Sequence, residues 1–151
     1  MTYAYDNGAR SVSRDGVAWA TIEPLEPTRG AIHVLDQAQE LEYRAYGPFR
    51  YGYNLGIFAG DIQRVALAWD WHEGALVFAP GLEPAFGFDG RLTQGTRIVA
   101  RTFARGPIVR VVVQDDVSPL DEDAVALLLL IDIQWTAGIL LFDRRRASSG
   151  Q

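Results

Sequence analysis

The chain contains no cysteine and no lysine, and all fourteen of its cationic side chains are arginine. Without cysteine there is no disulfide framework, no Cys-based zinc site and no thiol nucleophile. Without lysine there is no P-loop lysine, no Schiff-base chemistry and no Ser–Lys dyad. Positive charge is also in deficit: the net charge is -5 and the pI is near 4.9. That balance argues against a nucleic-acid partner, whose affinity would come largely from neutralising phosphates. What is present is hydrophobic material, 48% of 151 residues against 22% charged. This is enough for one domain with a real core, and too apolar for a disordered chain.

Up to about residue 115 the texture is that of a β protein, with short Val-, Ile-, Tyr-, Trp- and Phe-rich runs that alternate with polar residues. Ser11–Ser13 and Val17–Ile22 flank Asp15-Gly16, a two-residue hairpin signal. Pro24 and Pro27 read as a loop, and Ala31–Leu35 and Leu41–Tyr46 as a second strand pair. Further strands are predicted at Arg50–Asn54, Val65–Asp70, Leu76–Phe78, Arg97–Ala104 and Ile108–Gln114. Turn signals recur about every 8–12 residues, the spacing of a sandwich or barrel. Gly52, Gly56 and Gly60 read as bulges or tight barrel corners, not as a helix-dimerisation motif.

Then the pattern changes. Ser118-Pro119-Leu120-Asp121 reads as a helix start, with Ser118 as the cap, Pro119 at the first helical position and acids in the first turn. The run Ala124–Ile131 has no polar stripe, so it must be surrounded on all sides by protein or by lipid. Residues 124–142, followed by Arg144-Arg145-Arg146, resemble a membrane span with a positive anchor. The apolar gain of roughly -3 to -6 kcal/mol is nearly cancelled by Asp132, at roughly +3 kcal/mol, together with Gln134 and Gly138. A buried helix is therefore preferred and no integral span is expected. The economical solution is a closed antiparallel barrel around its own last helix, which would fill the lumen as small barrels require. Met1–Gly8 has neither the basic start nor the apolar run of a signal peptide.

Arg97–Arg101, Ile108–Val113 and Asp121–Asp132 together resemble the end of tubby-like C-terminal domains, closest to the LURP-one-related and phospholipid-scramblase branch. Such domains end in a strand hairpin, an acidic helix start and a very apolar helix with an Asp near its end. The resemblance implies an α+β, mainly β fold: a closed antiparallel barrel of about 12 strands around a hydrophobic helix over about residues 119–136. The resemblance is specific over about residues 97–135 and rests upstream on strand rhythm; the expected domain spans residues 1–146, with 147–151 a flexible tail. The family's phosphoinositide binding rests on Lys and Arg side chains, a pattern not matched in this lysine-free chain. Gly138–Phe142 reads either as a closing strand or as more helix.

Candidate chemistry is sparse. Asp115, Asp116, Asp121, Glu122 and Asp123 lack the alternating ligands and central glycine of a calcium loop, and acids at a helix start have a structural role. Asp70, His72 and Glu73 could imitate a metal or acid–base set, but no third ligand has recognisable spacing. His33, between Ile32 and Val34, is expected to face outward. No Gly-x-Ser-x-Gly elbow is present. No catalytic residue, metal or cofactor is assigned. The binding candidates are Arg44, Arg50, Tyr51 and Tyr53, as a Tyr/Arg patch, and Arg144, Arg145 and Arg146, as a basic run. Ser118, Asp121 and Asp132 are assigned structural roles, with Asp132 expected to pair inside the barrel with Arg97, Arg101 or Arg110. The expected function is that of a non-catalytic, cytoplasmic binding or scaffolding protein contacting anionic lipid or a protein partner. Two alternatives stay open: a lipocalin-like barrel with an open lumen, and a hydrolase or metal-dependent enzyme.

Overall fold

Alternation of small or β-branched residues with polar ones converts most of the chain into strands. The computed structural model describes residues 1–38, 40–49, 51–70, 72, 74–79, 86–105, 108–114 and 121–136, with side chains in the helix up to Gln134. Twelve strands come first: β1 (Thr2–Asp6), β2 (Ser11–Arg14), β3 (Val17–Glu26), β4 (Arg29–Val34), β5 (Leu41–Tyr46) and β6 (Gly52–Ala59). The second half holds β7 (Ile62–Asp70), β8 (Gly74–Phe78), β9 (Phe86–Phe88), β10 (Arg91–Gln94), β11 (Arg97–Arg105) and β12 (Ile108–Val113). Each strand pairs antiparallel with its neighbours in sequence, and β12 returns to β1 through Thr2↔Val112 to Asp6↔Ile108. The closed ring leaves no strand edge. The β2–β3 hairpin turns on Asp15 (φ 50°) and Gly16 (φ 82°), the two positive angles of the turn type that matches strand twist.

One helix, α1 (Glu122–Thr136), follows. It packs against β1 and β12 on one side and β6 and β7 on the other. Those pairs lie across the ring from each other, so the helix runs through the lumen. Every residue from Ala124 to Ile131 is at most 2% exposed, which explains the missing polar stripe. Tyr3, Tyr5, Tyr43 and Trp19 fill space beside it. The Tyr43 ring has room because Gly30 faces it; a Cβ there would come within 2.2 Å of the ring.

Polar contacts fix the helix at both ends. Asp121 is the cap, its Oδ1 accepting from the Ala124 N–H at 3.2 Å, and Arg64 of β7 pairs with the same carboxylate at 3.2 Å. Asp123 accepts from the Tyr3 hydroxyl of β1 and pairs with Arg14 of β2. Near the other end, Asp132 (6% exposed) accepts a hydrogen bond from the Tyr53 hydroxyl of β6 at 2.6 Å. The expected arginine partners of Asp132 are instead exposed on the outside of β11 and β12. The phenol donates to the carboxylate without itself bringing a charge out of water. Tyr53→Phe should therefore lower the unfolding free energy by about 1–3 kcal/mol, while Tyr51→Phe, at an exposed ring, stays near zero in a denaturant titration.

The structure corrects the sequence reading at three further points. The helix begins at Glu122, not near residue 119. Pro24 lies inside β3, tolerated because the register slips between Pro24 and Glu26 and a ladder donor is not needed there. Strands β1, β9 and β10 had not been read from the sequence. Ser118, Pro119, Gly138–Phe142 and the tail 147–151 lie outside the described residues.

Candidate functional site

The residues singled out from sequence do not converge. The Arg44 guanidinium carbon sits over the Phe58 ring, 4.3 Å from its centroid, and the guanidinium donates to Glu42 at 3.2 Å and to the Gly60 carbonyl at 3.1 Å. The Glu42 hydrogen bond pushes the guanidinium's pKa further up. Arg44 thus covers the outside of the β5–β6 pair as a packed ion pair. Tyr53 is 3% exposed and turned to Asp132, whereas Tyr51 is 55% exposed in the preceding loop. Arg50, Arg144, Arg145 and Arg146 lie outside the described residues.

The acid–base set also resolves into a turn. The Asp70 carboxylate accepts the His72 backbone N–H at 2.8 Å, a local side-chain-to-backbone bond that shapes the β7–β8 connection. Glu73 lies outside the described residues. Among the described residues no group of three or more His, Cys, Asp or Glu is placed to hold a metal ion. His33 is exposed, as expected, with its Nε2 3.3 Å from Glu23.

A site that sequence reasoning had not assembled lies on the outer face of β10, β11 and β12. Val99, Ala100, Val109, Val111 and Val113 point into the core. The opposite phase presents Arg101, Phe103 and Arg105 on β11 and Ile108 and Arg110 on β12, all exposed. Register brings them together: Phe103 is opposite Arg110, Arg105 opposite Ile108, and Arg91 of β10 opposite Arg101. Phe103 is 53% and Ile108 41% exposed. With about 3.4 Å per residue, Arg101 to Arg105 spans roughly 14 Å of the strand.

Most of the charge on this face is uncompensated by the described residues. Arg91 approaches Asp89 at 3.7 Å, but Arg101, Arg105 and Arg110 form no ion pair or hydrogen bond with the described residues. Asp6, opposite Ile108, is the nearby acid in register, and its Oδ1 accepts the Gly8 N–H. Two arginines directly opposite each other across strands repel, at a cost of a few tenths of a kcal/mol. Sheet stability gives no reason to gather four arginines around an exposed Phe on a chain of net charge -5. The signal was legible: in Arg101-Thr102-Phe103-Ala104-Arg105 the outward phase is set by the valines that flank it in β11 and β12.

Comparisons with protein-family profiles, curated proteins and solved structures return no match. Planar guanidiniums without a partner among the described residues can take carboxylate or phosphate oxygens in pairs, and an exposed aromatic between them adds an apolar anchor. Nothing in the arrangement activates a nucleophile or places an acid beside a base. Among the described residues no helix is long and apolar enough to cross a membrane.

Proposed function

We propose that the protein is a non-catalytic binding barrel of the tubby-like kind that docks on an anionic lipid surface through the outer face of β10–β12. The observation that carries this reading is the set of unpaired arginines around Phe103. Arg101, Arg105 and Arg110, with Arg91 beside them in its 3.7 Å pair with Asp89, form a basic cluster in which each unpaired arginine contributes about 1 kcal/mol near an anionic lipid surface. Phe103 and Ile108 supply the apolar contact that pure charge lacks. The helix-filled lumen supports recognition on the outside of the barrel and weighs against the lipocalin-like alternative. A cytoplasmic setting accords with the anionic leaflet facing that side.

Vesicle flotation tests it. The protein should co-float with phosphatidylserine-containing vesicles, lose that association as salt is raised, and ignore vesicles of phosphatidylcholine alone. Reversing Arg101, Arg105 and Arg110 to Glu should weaken association by at least about a hundredfold, from roughly 1 kcal/mol per arginine. Flotation unchanged by the triple reversal, or absent at low salt, would reject lipid docking and leave an acidic protein partner as the occupant of this face.

A further inference from the structure

The barrel mouth at which the helix enters carries a second feature, independent of the arginine face. Between the β2–β3 turn and the end of β4 lies a groove of about 340 Å³, lined by Arg14, Val17, Ala18, Trp19, Leu35 and Asp36. That volume is within the range of small-molecule sites. Trp19 is there because of a β-bulge: Val12 faces Ala20 and Ser13 faces Ala18, so Trp19 is the extra residue, unmatched on β2. Its carbonyl accepts the Leu35 N–H at 2.8 Å, tying the two walls together. Bulges at barrel rims re-aim side chains and recur beside binding sites.

The indole is 4% exposed, yet its Nε1–H has no acceptor among the described residues. A buried N–H without a partner costs free energy that a bound acceptor would recover. The remaining surfaces select the acceptor's character. Val17 and Leu35 are 68% and 67% exposed, an apolar rim beside the tryptophan. Arg14 stacks over the indole at 5.2 Å, and its charge is matched by Asp123 at 3.2 Å. Asp36, in the lining, adds a negative charge. A carboxylate would meet Asp36 and Asp123 with Arg14 already spoken for, and an ammonium would offer the indole no acceptor.

We infer that this groove binds a small neutral molecule with an apolar body and one carbonyl oxygen, of the amide or ketone class, which accepts the Trp19 Nε1–H while its chain lies against Val17 and Leu35. The test uses hexanamide, hexanoate and hexylamine, matched in length and differing in charge, with two-dimensional NMR of the intact protein. The Trp19 indole N–H signal is assigned by its disappearance in Trp19→Phe. Hexanamide should shift that signal saturably and bind at least tenfold more tightly than the other two. Trp19→Phe keeps an aromatic ring at this position and removes the N–H donor, and should weaken hexanamide binding at least tenfold as followed at the Leu35 amide. Leu35→Asp, at an exposed position that leaves the core untouched, should weaken it similarly. The inference is overturned by no saturable shift in the natural chain, by equal or tighter binding of hexanoate or hexylamine, or by undiminished binding in either variant.

Discussion

Replacing Leu127 by alanine should lower the unfolding free energy by about 2–5 kcal/mol, a large part of the about 5–15 kcal/mol typical of a domain. Leu127 is fully buried midway along a helix enclosed by strands on opposite sides. The barrel wall is a closed hydrogen-bonded ring and cannot collapse into the space left behind, so the cavity term is expected near the upper end. Leu127→Asp should abolish the fold, because the carboxylate would sit unpaired in apolar surroundings. Leu76→Ala, at an outward side chain 41% exposed, is the control and should stay within about 0.5 kcal/mol. Chemical denaturation reads all three. A Leu127→Ala effect no larger than the control would mean that the lumen is not filled as described.

The second large effect is alkaline unfolding. Tyr3, Tyr5 and Tyr43 are fully buried, and burial raises all three phenol pKa values. Tyr3 is raised further by donating to Asp123, whose carboxylate would repel a phenolate, and Tyr43 is raised further by its neighbour Tyr5. A raised folded-state pKa means that the folded chain keeps its phenol protons after the unfolded chain, near pH 10, has begun to release them. Stability is thus fully present below about pH 10 and falls as pH rises beyond it. Each tyrosine adds a slope of up to about 1.4 kcal/mol per pH unit, or about 4 for three. Stability should fall by up to about 8 kcal/mol between pH 10 and pH 12, with the phenolate absorbance of these tyrosines appearing together with loss of the fold. Tyr43→Phe should flatten the dependence by about a third. A pH-independent stability from pH 9 to 12 would contradict the placement of these rings.

Several parts of this architecture were legible in the residues themselves. The run Ala124–Ile131 offers no polar face, which demands enclosure, and a chain rich in short alternating strands supplies the wall. Asp15-Gly16 gave the hairpin because positive φ at two successive positions strongly restricts the residues. Strand β9 was not legible: Phe86-Gly87-Phe88 is three residues long and is held by its neighbours, not by its own pattern. The helix cap moved from Ser118 to Asp121 because cap preference ranks both alike and only geometry separates them. Asp132 was the instructive failure. Charge complementarity suggested an arginine, but alternation in β11 and β12 turns Arg101 and Arg110 outward, and a tyrosine on the far wall reaches the carboxylate. The arginines thereby left unpaired compose the candidate docking face.

Because the chain has no cysteine, a single introduced thiol can report one position. Phe103→Cys, carrying an environment-sensitive fluorophore, tests the docking face directly, with Ile62→Cys on the distant β7 (71% exposed) as reference. On titration with phosphatidylserine-containing vesicles, the label at 103 should shift to the blue as it enters the interface, and the label at 62 should stay unchanged. A shift at 62 with none at 103 would contradict recognition through the β10–β12 face.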